Sequence, residues 1–188
     1  AGWHHLQHLV WESNILANYV GATASFCHGE QNATNAGTRL SPWLAFGCLS
    51  ARTVVHEVRN YERAHGKSFA TRRIYKELIF RDFLRYCMLK WGNNVFKIGG
   101  PFGTTGLEWR NDKEVFQRWQ EGRTGFPFVD AGMRELAATG YISHLHRQCC
   151  AAFLVRDLRL DWRLGAEHFE ATLLDHTPDA NWGNWAYR

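Results

Sequence analysis

Apolar positions recur along this chain at spacings of three and four, and strand-like alternation never lasts beyond a few residues. That period predicts helices throughout. Residues 6–19 place Leu6, Leu9, Val10, Ile15, Leu16 and Tyr19 roughly on one side. Residues 20–37, rich in Gly, Ala, Asn and Thr, predict a loop. Ser50 is placed to cap a helix over 51–64, with Val54, Val55, Val58 and Tyr61 inward. A long helix over 71–91 carries Ile74, Leu78, Ile79, Phe83 and Met88. Asp112 caps a helix that Gly122 ends, and residues 128–139 form another, stopped by Gly140. Ser143 caps a helix over 144–158, and a last helix covers about 164–175. No repeat or linker interrupts the series, so the expected fold is all-α and a single domain over 1–188.

Composition narrows the picture. With 188 residues, 45% hydrophobic and 21% charged, the chain can bury a core, and disorder is excluded. No apolar run approaches the ~18 residues that mark a transmembrane helix. His4, His5, Gln7, His8, Glu12 and Asn14 break any signal-peptide core in residues 1–20. Opening on Ala1 rather than methionine, close to an amphipathic pattern, suggests a piece of something longer. Five cysteines, an odd count with no CxxC and an adjacent pair at Cys149 and Cys150, argue against a disulfide framework or a zinc site. They point to an intracellular, reducing compartment. The net charge of +4 is compatible with a nucleic-acid partner without indicating one.

Several local patterns could carry chemistry. Thr38-Arg39-Leu40-Ser41-Pro42 follows Gly37; Ser before Pro marks a helix start, with Pro suited to the first helical position. Such an end can bind phosphate, or it can be an ordinary cap. Glu77 and Arg81, in Glu77-Leu-Ile-Phe80-Arg81-Asp82-Phe83, are spaced to pair as i,i+4. They form either a surface salt bridge or a polar patch lining a pocket. Residues 143–148, Ser-His-Leu-His-Arg-Gln, put His144 and Gln148 on one helical face, with Arg147 near His144. Neither His144 nor His146 fits a metal-binding spacing, and no metal site is expected. Gly100–Gly106 lacks the Gly-Lys-Ser/Thr of a phosphate loop. Nine tryptophans are the odd figure: they serve either a large aromatic core or a task that needs indoles. The polar, aromatic stretch from Asp175 to Tyr187 either faces solvent or wraps a flat polar ligand.

Taken in order, these pieces resemble the FAD-binding domain of the cryptochrome/photolyase family. The runs are Thr38-Arg-Leu-Ser-Pro-Trp-Leu-Ala-Phe-Gly-Cys-Leu-Ser50 and Glu77-Leu-Ile-Phe-Arg-Asp-Phe83, then Trp119-Gln-Glu-Gly-Arg-Thr-Gly-Phe-Pro-Phe-Val-Asp-Ala-Gly-Met-Arg-Glu-Leu136. Asp157-Leu-Arg-Leu-Asp-Trp-Arg-Leu-Gly-Ala-Glu167 and Asn181-Trp-Gly-Asn-Trp185 follow. The likeness runs from about residue 36 to the end, and the last two runs look most like the cryptochrome-DASH branch. It implies an incomplete helical FAD-binding domain, without the N-terminal antenna domain, its chromophore, or the helices that follow Tyr187. Thr38, Ser41 and the backbone at Leu40 would hold the FAD diphosphate. Arg147 and Asp175 match a pair beside the isoalloxazine ring, and Asn181 the residue facing flavin N5. Trp185, Trp162 and Trp109 match the tryptophan chain from flavin to surface.

The lesion side departs from the family pattern. Glu77 is kept, but the aromatic residue three positions on is Phe80 rather than Trp. His144-Leu145 replaces the Asn-Arg of dimer photolyases and the DASH branch, matching (6-4) photolyases and animal cryptochromes. The second histidine of the (6-4) pair falls on Gln148, and a family Asp on Thr177. Tyr187 stands where many dimer photolyases carry Trp. The resemblance implies blue-light electron transfer, with damaged DNA as partner and Glu77, Phe80, His144 and Tyr187 at the lesion; such an enzyme is a carbon–carbon lyase. The alternative is a cryptochrome photoreceptor that signals to a protein partner without repair.

Overall fold

A computed structural model describes residues 1–13, 16 and 37–186. The chain gathers into two compact units, Ala1–Asp82 and Phe83–Arg188. Among the described residues there are no strands, only one isolated bridge between Arg110 and Leu160.

In the first unit, α1 (Gly2–Gln7) runs on into a π-helical turn (His8–Glu12) that ends at Ser13. Of the amphipathic stretch expected over 6–19, Leu6, Leu9, Val10 and Leu16 are buried together, and the helix is interrupted at Ser13, which turns extended and donates its Oγ back to the Leu9 carbonyl; residues 14, 15 and 17–19 lie outside the described residues. The expected loop over 20–37 falls on undescribed residues except for Gly37. α2 (Ser41–Ala45) starts with Ser41 as its first helical residue and Leu40 as its cap. Pro42 therefore takes the second helical position, not the first. α3 (Ala51–His65) is capped as its sequence predicts: Ser50 Oγ accepts from the Thr53 N–H at 3.0 Å. Val54 and Val58 of α3 pack with Leu6, Leu9, Val10 and Ile74, all buried. α4 (Phe69–Trp91) contributes Ile74 and Leu78 to this core.

The second unit holds the rest of α4, a 3₁₀ turn (Gly92–Phe96), α5 (Lys113–Gln120), α6 (Pro127–Thr139), α7 (His144–Ala152), α8 (Trp162–Thr172) and α9 (Pro178–Ala186). Asp112, Ser143 and Asp161 cap α5, α7 and α8 by accepting backbone N–H bonds. The core is built round Trp119, which is fully buried. Its ring stacks on Phe116 and Phe169, and its indole N–H donates to the Cys150 carbonyl at 3.1 Å.

Several boundaries differ from the sequence pattern, and α4, expected from 71, already begins at Phe69. The helix expected over 144–158 stops being α-helical at Ala152 and widens into a π-helical turn (Phe153–Asp157). α8 begins at Trp162, two residues early, because Asp161 supplies a cap; it ends at Thr172 because Leu173 turns extended. The stretch 175–187, expected to face solvent or wrap a ligand, contains a helix instead. Pro178 opens α9, and Asn181, Trp182, Gly183 and Trp185 are buried on it.

Asp130 ties the loop before α6 to that helix. Its Oδ1 accepts from the Thr124 N–H at 2.8 Å and the Thr124 hydroxyl at 2.6 Å, and its Oδ2 from the Gly125 N–H at 3.0 Å. Burial alone would raise this carboxyl's pKa; the bonds from Thr124 and Gly125, with Arg134 nearby, outweigh it and hold the pKa below the usual value. A depressed folded-state pKa contributes stability that is complete above the unfolded value, about 3.9, and is lost as pH falls through the folded one. Asp130→Asn should therefore cost about 1–3 kcal/mol at neutral pH, the cost of leaving a buried donor unmatched. In urea titrations, the gap between wild type and variant should shrink as pH drops below about 4.

Candidate functional site

The expected site residues divide between the units, and each set is described within its own. Thr38, Leu40, Ser41, Glu77 and Phe80 belong to the first; His144, Arg147, Asp175, Asn181 and the three tryptophans to the second. Tyr187 lies outside the described residues.

In the first unit, Thr38 is held at its carbonyl by His5 Nε2 at 2.9 Å. Arg39 takes a positive φ of 48°, which turns the chain sharply into α2. Leu40 is buried and Ser41 exposed. Glu77 pairs with Arg73 at 2.9 Å, and Arg81 with Asp82 at 3.3 Å. The expected ionic partner of Glu77, Arg81, is thus replaced by the arginine one turn earlier. A guanidinium at i−4 is as reachable on a helix as one at i+4, and spacing alone does not choose between them. Phe80 is about half exposed. The first unit also holds a cleft of about 850 Å3 between α3 and α4, which sequence reasoning did not single out. Val55 and Leu78 line it beside Arg52, Arg59 and Arg72. Tyr75 donates there to Glu62 Oε2 at 3.0 Å; burial and that carboxylate push the phenol up to about 12.

In the second unit, the placement of Asp175 starts from a glycine. Gly140 ends α6 with φ 69°, and its carbonyl accepts the Leu174 N–H at 2.9 Å. A β-carbon at Gly140 would stand 2.7 Å from Leu174 Cγ, so the two segments meet this closely only over a glycine. Asp175 follows directly and meets Arg147 of α7: Nη2 to Oδ2 is 2.9 Å, with the Asp175 side chain 3% and the Arg147 side chain 24% exposed. Arg147 also donates Nε to the Ile142 carbonyl at 3.1 Å, and its guanidinium lies 5.4 Å from the centre of the Tyr141 ring. The second carboxylate oxygen of Asp175, Oδ1, is buried with no hydrogen-bond partner among the described residues. A buried acceptor left open in this way is one for which a ligand can supply the donor. His144, the first residue of α7, is exposed and lies 2.9 Å from Gln148, Nε2 to Nε2.

Asn181 is buried on α9 and donates Nδ2 to the Ala166 carbonyl of α8 at 2.9 Å. A carbonyl only accepts, so this bond fixes the carboxamide and turns Oδ1 into its remaining acceptor. Next to it, α8 and α9 are in close contact. Gly165 sits under Trp185, where a β-carbon would stand 2.3 Å from Cη2. Trp162 lies one helical turn before Gly165, on the same side of α8. Beyond it, the Arg110 N–H donates to the Arg159 carbonyl at 2.8 Å, bringing the segment that carries Trp109 alongside the chain entering α8. Trp185 and Trp162 are buried, and Trp109 is half-buried. Trp162 donates Nε1 to the Ile98 carbonyl at 2.9 Å.

Among the described residues, no three His, Cys, Asp or Glu side chains gather as a metal site, and no helix is long and apolar enough to cross a membrane.

Residues 74–188 match the family described as the FAD binding domain of DNA photolyase. The chain is 47% identical over 150 residues to a cryptochrome DASH, chloroplastic/mitochondrial, of Arabidopsis thaliana, an alignment covering 80% of this chain and 26% of that protein. It superposes on the crystal structure of a Synechocystis cryptochrome with a TM-score of 0.90 at 39% identity, over 99% of this chain and 37% of that one. A bacterial class III photolyase from Agrobacterium tumefaciens gives 0.80 at 30% identity, over 99% of this chain and 36% of that one. The chain thus spans about a quarter to somewhat over a third of the length of these proteins.

The ion pair yields a stability prediction. Arg147→Ala leaves a buried carboxylate unpaired and should destabilise the protein by about 3–5 kcal/mol in chemical denaturation. Adding Asp175→Ala should recover part of that loss, because the uncompensated charge is then gone. A loss within about 0.5 kcal/mol for Arg147→Ala, the size of an ordinary surface change, would contradict a buried pair.

Proposed function

Because the chain belongs to the cryptochrome/photolyase family and carries its FAD-binding domain, we propose that it works in blue-light-driven electron transfer to pyrimidine dimers in single-stranded or loosened DNA, in the manner of a DASH-type photolyase. What supports this reading is the buried Asp175, paired to Arg147 through one oxygen and open at the other, in the same unit as three indoles that pass from buried to half-buried. An isoalloxazine ring carries both N–H donors and acceptors, so the residues present fit the group. A buried ion pair contributes little to stability against its desolvation cost, which gives a positioning role the more weight.

Bound FAD supplies the blue-light absorption and the one-electron chemistry. The chain's own residues supply the rest. Thr38, Ser41 and the Leu40 backbone would hold the diphosphate, as the resemblance implies. Arg147 and Asp175 would hold and orient the isoalloxazine ring and set the charge beside it. Asn181, with Nδ2 already committed to Ala166, offers Oδ1 as an acceptor to an N–H but has no acidic proton to give. Trp185, Trp162 and Trp109 act in that order as electron donors, each indole refilled by the next and the last by solvent reductants. The resemblance assigns lesion contacts to Glu77, Phe80, His144 and Tyr187, and a dimer flipped out of unpaired DNA costs less to extrude.

The photoreceptor alternative is favoured by one observation. His144-Leu145 stands where dimer photolyases carry Asn-Arg, while the indole series is kept.

Two measurements test the proposal. In the FAD-loaded protein, Trp162→Phe should strongly slow photoreduction and leave FAD binding intact, since Phe fills similar space and is far harder to oxidise. Blue light should restore thymine-dimer-containing single-stranded oligonucleotides to intact thymines, with no repair in the dark. Photoreduction without repair assigns the chain to the photoreceptor reading.

A further inference from the structure

Trp182 has no role in the tryptophan series above, yet it is the indole in ring contact with Trp162 among the described residues. Their ring centroids are 5.9 Å apart, with planes at 77°. The two indole N–H groups end on different chemistry. Trp162 donates to the Ile98 backbone carbonyl, a neutral group that does not take up a proton. Trp182 donates to Glu170 Oε2 at 2.6 Å, a short charge-assisted bond to a carboxylate. Trp182 itself is 7% exposed, whereas the Glu170 side chain is 46% exposed and can exchange a proton with water. The other face of the arrangement is closed by Phe96, edge-on to Trp182 at 4.9 Å. The remaining titratable neighbour is His176, whose Nε2 lies 3.8 Å from Glu170 Oε1.

An indole that has lost an electron is a much stronger acid than indole itself. On Trp162 the positive charge has no base to receive its proton. On Trp182 a base is already in place. We propose that Trp182 and Glu170 form a second exit for the oxidising equivalent, in which electron loss at Trp182 is coupled to proton loss to Glu170. This rests on the reading of Trp162 as an electron carrier. One electron passes from Trp182 to oxidised Trp162, which returns to its closed-shell form. The proton on Trp182 Nε1 moves to Glu170 Oε2. Trp182 is left as a neutral indolyl radical and Glu170 as a carboxylic acid. The electron's final acceptor is photoexcited FAD, and one electron and one proton, supplied by a thiol reductant and by Glu170, later restore Trp182. Proton transfer removes the buried positive charge, which is costly to keep in an apolar site. It therefore disfavours return of the electron. Trp182 is the electron donor of this step; Glu170 is its proton acceptor and also positions the ring.

The test uses the FAD-loaded protein and two kinds of readout. After a blue flash, transient absorption distinguishes protonated from neutral indole radicals. A neutral-radical signal should survive Trp109→Phe, be lost in Trp182→Phe, and give way to the protonated form in Glu170→Gln. In the dark, the ¹H–¹⁵N spectrum should show one indole N–H far downfield, absent in Trp182→Phe and shifted upfield in Glu170→Gln. Glu170 is half-exposed, so its isosteric amide keeps the fold testable if Trp182→Phe weakens it. Neutral-radical signals unchanged in both variants overturn the inference, as does an indole N–H that Glu170→Gln leaves in place. If Trp162→Phe photoreduces at the wild-type rate, the underlying reading of the tryptophan series fails instead. If that variant is slow while the Trp182 and Glu170 variants behave as wild type, only the second exit fails.

Discussion

The missing side chain at Gly165 sets the geometry of the second unit. Helices α8 and α9 come together there with the Trp185 indole lying directly on the backbone, a separation that any β-carbon would forbid. Other placements depend on that contact. The Asn181 amide reaches the carbonyl of Ala166, the next residue on α8. Trp162, one turn earlier, keeps its place relative to Trp185. Phe169, one turn later, meets Trp185 edge-on at 5.2 Å and Trp119 in a stack at 6.0 Å, joining the helix pair to the main core. Close packing transmits displacement, so a shift at Gly165 would be felt by the carboxamide and by both indoles together.

The polar side of the site is built on a second close approach. Gly140, left-handed at the end of α6, accepts the Leu174 N–H and fixes the segment that carries Asp175. Arg147 is meanwhile held by Asp175, the Ile142 carbonyl and the Tyr141 ring. Both charged groups are thus positioned by backbone around them rather than by each other alone. That is the arrangement expected where orientation matters more than the net energy of the pair.

Local signals made much of this legible in the sequence. Ser50, Asp112 and Ser143 each announce a helix start and make the cap they promise; Gly140 ends α6 as its position implies. Arg147 and Asp175 are legible only through the family motifs, since no periodicity joins residues 28 positions apart. The failures have physical causes. Asp161 was available as a cap, but the apolar spacing that marks α8 becomes clear only after it. The π-helical turn at Phe153–Asp157 keeps a helix-like pattern while changing its hydrogen bonding, so hydropathy does not reveal it. The 175–187 stretch looked irregular because Asn, Gly and Asp are weak helix formers. Burial of Asn181, Trp182 and Trp185 outweighs that local preference. Glu77 chose Arg73 over Arg81, a choice left to rotamers. The Trp182–Glu170 bond spans 12 positions and carries no motif at all.

The core cysteine has a meaning in terms of circuitry. Cys150 is fully buried, and burial, with Cys149 and Asp130 nearby, pushes its thiol up to about 12. Burial thus favours the thiol over the thiolate, and its weak S–H is turned to the Val129 carbonyl. Its own carbonyl holds the indole of Trp119, so an ionised sulfur would sit within the aromatic core. A thiolate gives up electrons far more readily than a thiol. On the proposed reading, in which single electrons pass through indoles, the apolar wall around Cys150 works as insulation: it keeps a competing donor switched off beside the wiring.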